Sequence, residues 1–112
     1  MDDALKQSIL QNRFVERLRL EFVVDMEAYE QLCGALRALA ETWRGARMID
    51  REVAQDLYVL APITQSMAAR MREMGLSRAD GVEEMAIEID ALVLGCLSGG
   101  GAGGTPESNL RK

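Results

Sequence analysis

The chain contains no histidine, and its two cysteines, Cys33 and Cys96, stand far apart with no further thiol or imidazole at ligand spacing. A zinc site and a catalytic imidazole are therefore excluded. Each cysteine falls on an apolar helical face, where a free thiol behaves as a small hydrophobe; a disulfide or a reactive thiol is the alternative. Aromatic residues make up only 4% of a sequence that is 48% hydrophobic, so the core must be built from Leu, Ile, Val, Ala and Met. Such residues lose little rotamer freedom in a helix, which favours helices over sheets. No apolar run approaches the roughly 18 residues of a membrane span, and Asp2 and Asp3 stand where a signal peptide would carry positive charge. The sequence thus predicts a cytoplasmic protein.

Basic charge is also scarce: 13 Lys and Arg against 18 Asp and Glu leave a net charge of −5. A nucleic-acid partner would require a dense basic stripe, and the arginines here are interleaved with acids. Arginine greatly outnumbers lysine, a codon signature of a GC-rich bacterial genome. With 112 residues the chain has room for one domain and one core.

What is present is helical periodicity. From Asp3 to Trp43 apolar residues recur every three or four positions, which predicts one long helix, or a broken one with breaks at Asp25 and Gly34. Residues 17–24 also alternate with the period of a strand, but no turn signal bounds them and a lone strand would have nothing to pair with. Asp50 reads as the N-cap of a second helical unit, about Arg51 to Met74, in which Pro62 predicts a kink or a division into two short helices. Gly75 suits the residue just past its end, and Ser77 with Asp80 reads as a capping box for the last helix. That helix has a buried face of Val82, Met85, Ala86, Ile89, Leu92, Val93 and Cys96. The predicted architecture is all-α: a small bundle of three to four helices over 1–97, followed by a flexible glycine-rich tail over 98–112 that cannot bury enough to order itself.

Two groups of residues could carry function. Asp80, Glu84 and Glu88 follow each other at four-residue intervals with Glu83 and Asp90 beside them, an arrangement whose repulsion costs roughly 0.2–0.5 kcal/mol per pair. Either internal arginines neutralise this strip or it docks a basic protein partner. The second group is the heptad ladder Leu57, Leu60, Met67, Met71 and Met74, joined by Trp43. It can be core, the seam of a homodimer, or the lining of a pocket for an apolar small molecule.

Catalysis has little to work with. Ser8, Ser66, Ser77, Thr42 and Thr64 lack a histidine base, and carboxylate pairs such as Glu27 with Glu30 show no sign of a pocket that would separate their pKa values. The sequence therefore points to an acidic helical module, an adaptor, small chaperone or inhibitor, that binds a protein partner and is not an enzyme. It implies no cofactor and no metal, and its apolar surplus for so short a chain predicts a homodimer. The alternative is a helical pocket for an apolar ligand along Met67, Met71 and Met74.

Overall fold

The computed structural model describes residues 2–102, with side chains through 98. They form five helical segments, α1 (Asp3–Leu10), α2 (Phe14–Glu21), α3 (Met26–Trp43), α4 (Arg51–Glu73) and α5 (Ala79–Ala102), with no strand among the described residues. The all-α reading holds, and residues 17–24 are not a strand. The N-terminal element is broken, and it breaks twice.

The first break is made by Asn12, whose side-chain oxygen accepts from the Phe14 amide (2.9 Å) while its nitrogen donates to the Ala28 carbonyl of α3 (2.9 Å). A single short side chain thereby satisfies a helix start and ties the turn to a neighbouring helix. The second break is at Phe22, a left-handed residue with φ 56°. This conformation is costly for a large side chain. It is followed by Asp25, which caps α3 by accepting from the Ala28 amide (3.0 Å) and holds Arg17 of α2 (2.9 Å). The expected break at Gly34 does not occur, because that glycine lies inside α3. With no local hydrogen-bonding side chain to compete with the helix, its flexibility alone is not enough to stop it.

Asp50 caps α4 as expected, accepting from the Val53 amide (3.1 Å), and Lys6 of α1 binds the same carboxylate (2.9 Å). Pro62 does not divide α4 into two helices. The carbonyl that its ring deprives of a donor belongs to Tyr58, and both residues lie on the exposed side, where water can take the donor's place. At the other end, Gly75 has φ 75°, and the Leu76 and Gly75 amides donate back to Met71 (2.9 Å) and Arg72 (3.0 Å). This is the Schellman termination that the glycine implied. The capping box at Ser77 is replaced by a backbone turn from the Ala79 amide to the Leu76 carbonyl (3.2 Å), since Arg72 takes the Asp80 carboxylate (2.9 Å). Helix α5 continues past Leu97 to Ala102, and the rest of the expected tail, 103–112, lies outside the described residues.

Helices α4 and α5 form an antiparallel hairpin, and α3 packs on the other flank of α5, running parallel to it. On the far side α1 and α2 bridge from α3 to α4, so the two short helices together supply the fourth wall. The core inside these walls contains Phe14, Leu18, Leu32, Leu36, Leu39, Trp43, Leu57, Met71 and Ile89, all buried. No helix among the described residues is long and apolar enough to cross a membrane.

Candidate functional site

The acidic strip is divided by the fold. Arg72, in the last turn of α4, faces the start of α5 and pairs with both Asp80 (2.9 Å) and Glu83. Glu88 points to the other flank of α5, where it accepts the Tyr29 hydroxyl proton and lies 3.6 Å from Arg37. Three of the five carboxylates are therefore held by the chain's own side chains. Glu84 and Asp90 are exposed and have no ion pair among the described residues. The strip is thus not one surface: a helix turns 100° per residue, so Glu88 and Asp90 diverge although they are near neighbours in sequence.

Tyr29 shows how firmly that flank is built. Its ring packs against Phe14, centroids 5.1 Å apart, and its hydroxyl ends on Glu88. Burial first, and the Glu88 hydrogen bond second, push its pKa well above the ordinary tyrosine value. Because the folded pKa lies above the unfolded one, the neutral phenol contributes fully below a pH of about 10 and its contribution is lost as pH rises beyond it. In Tyr58→Phe, which leaves Tyr29 as the sole tyrosine, phenolate absorbance is expected only as the protein unfolds in alkali. Titration at the ordinary value with the helical circular dichroism intact would show instead that the ring is open to water.

The methionine ladder is core. Leu57, Leu60, Met67 and Met71 are buried, as is Trp43 at the end of α3, and they belong to one cluster with α5 residues Val82, Ile89 and Val93. These side chains are covered by the chain's own helices, with α5 packed on one flank of α4 and the α1–α2 wall, beside Leu60, on the other. Met74 is the exception at 54% exposed, because it lies at the helix end beyond the reach of α5.

The cysteines are free and buried. The Cys96 thiol donates to the Leu36 carbonyl (3.1 Å) and burial pushes its pKa up to about 11; burial raises Cys33 as well. Both are held as thiols, poor nucleophiles at neutral pH. Among the described residues no group of three His, Cys, Asp or Glu side chains could hold a metal ion.

Two of the concave features on the surface border α4. A groove of about 510 Å³ lies between the α1–α2 wall and α4, with Ile9, Val15 and Ile63 as apolar lining and Glu16, Arg19 and Asp56 as polar lining. Partial burial raises the Asp56 pKa above the usual carboxylate value. The second is a trough of about 330 Å³ on the outside of the α4–α5 hairpin, formed by Ala61, Pro62 and Gln65 with Ala86, Ile87 and Asp90.

The trough opens onto an apolar face that sequence reasoning missed. Ile87 (60% exposed), Ala91 and Leu94 (56% exposed) recur at four and three residues along α5, on the side opposite the core stripe of Val82, Ala86, Ile89, Val93 and Cys96. Across the hairpin stand Tyr58 (67% exposed) and Pro62 of α4. The free carboxylates Glu84 and Asp90 lie on the same side of α5 as this stripe. The signal was in the sequence: α5 carries two apolar stripes, and a helix that is apolar on opposite faces expects cover on both. No family model, no curated protein and no solved structure shows a match to this chain.

Proposed function

We propose that this protein is an acidic, cytoplasmic helical interaction module that works by holding a protein partner against the outer face of its α4–α5 hairpin, and not by catalysis. The observation that supports this reading is the second apolar stripe of α5, Ile87, Ala91 and Leu94, exposed beside Tyr58 and Pro62. Burying it would remove from water the exposed part of Ile87 and Leu94, a little over half of each, contributing about 1–2 kcal/mol apiece. A cluster of this kind is what an interface needs at its centre. The apolar small-molecule alternative draws less support, because Met67 and Met71 are buried in the core. The homodimer expected from the apolar surplus would have this same outer face available to it.

A photo-reactive phenylalanine analogue in place of Ala91, in cells of the native host, tests the reading. A discrete protein adduct is expected, absent when the analogue replaces Ser8 on α1, which packs on α3 and α4 and not on α5. The adduct should also disappear in Ile87→Asp with Leu94→Asp, a pair of exposed substitutions that leaves the helical signal intact. An adduct of twice the chain's mass would identify a second copy as the partner. No adduct at position 91, or one indifferent to the two substitutions, would overturn the assignment.

A further inference from the structure

Resting on that reading, we infer that the partner presents a single amphipathic helix whose apolar stripe is flanked by lysine or arginine, and that this helix lies along α5 between Glu84 and Leu94. Three features of the face specify it. The first is length and period. Ile87 and Leu94 are two turns apart, about 10 Å at 1.5 Å per residue, so the complementary element offers anchors at the same three- and four-residue spacing. The second is relief. Ala91, between the two large residues, lets another helix approach closely, and the trough of about 330 Å³ beside Pro62 and Ile87 receives one anchoring side chain.

The third is charge. Asp80, Glu83 and Glu88 are answered by Arg72, Arg37 and Tyr29, whereas Glu84 and Asp90 have no cation among the described residues. They accompany the apolar stripe on a protein of net charge −5, so a basic flank is attracted and an acidic one repelled. The same geometry argues against a second copy. A two-fold pairing of α5 with itself centres on Ala91, the middle of the stripe, and brings each Asp90 close to its own counterpart, a like-charge contact with no cation to relieve it.

Two synthetic helical peptides decide the matter, both with leucine at the two-turn anchor spacing, one flanked by lysine and the other by glutamate. The native protein is expected to bind the lysine peptide at least tenfold more tightly at low salt, with the difference shrinking as salt is added. Glu84→Lys with Asp90→Lys should reverse the preference, and Ile87→Asp with Leu94→Asp should abolish binding of both peptides while the helical signal is kept. Equal affinities, or a preference that the charge reversal leaves unchanged, would overturn the inference. So would a dimer in sedimentation that the two aspartate substitutions disperse, since that makes the second copy the occupant. These failures are separate from failure of the interaction reading, which the cross-linked adduct at position 91 judges independently.

Discussion

Phe14→Ala is expected to lower the stability of the fold by about 3–5 kcal/mol, the usual cost of emptying a large aromatic site. Phe14 is fully buried at the first residue of α2, where its amide is held by Asn12 and its ring packs on Tyr29 of α3. Removing the ring therefore loosens a helix start, the α2–α3 contact and the support beneath the Tyr29–Glu88 hydrogen bond together. The neighbouring Tyr29 ring is tied by its hydroxyl to Glu88, so it is not free to move in and fill the space. Small domains are stable by only about 5–15 kcal/mol, so the variant should be partly unfolded at 37 °C. Urea denaturation reads the effect: the midpoint should fall with little change in slope. A loss under about 1 kcal/mol would mean that the α1–α2 wall is peripheral to the cooperative unit.

Met71→Ala has the second-largest expected effect, about 2–5 kcal/mol, because the side chain is 1% exposed between α4 and α5. The same substitution at Met74, 54% exposed, should change stability by less than about 0.5 kcal/mol. This pair separates the two meanings of a methionine ladder. If residues 67 and 71 were a ligand surface, truncation would cost binding and spare stability. Packed as they are, truncation should cost stability, and thermal melting of both variants side by side is sufficient to tell. A small loss at Met71 equal to that at Met74 would return the ladder to the surface and reopen a pocket there.

The local signals were readable wherever a single residue type acts on its own backbone. Asp25, Asp50 and Gly75 mark helix ends because a carboxylate can accept an orphan amide and only glycine adopts φ 75° freely. Asn12 was not read as a break, although it makes one, because half of its role is a bond to Ala28, sixteen residues away. Pro62 was read as a break or a kink, but its tolerance within a continuous α4 depends on which way the helix is turned.

The candidate site divides along the same line. Periodicity alone located the acidic carboxylates and the apolar ladders, since spacing on a helix determines which side chains share a face. It could not decide which face α5 would cover. That depends on helix packing: Arg72 reaches Asp80 and Glu83 only because the hairpin folds back, and Tyr29 reaches Glu88 only because α3 runs parallel to α5. The sequence by itself determined an acidic, histidine-free, all-helical chain with its caps and its amphipathic stripes, all consequences of composition and near-neighbour spacing. Only the tertiary structure decided that the methionine ladder is interior, that Glu84 and Asp90 stand unpaired among the described residues, and that Ile87, Ala91 and Leu94 face outward. A stripe states that it must be buried, whereas what buries it is chosen among helices distant in sequence.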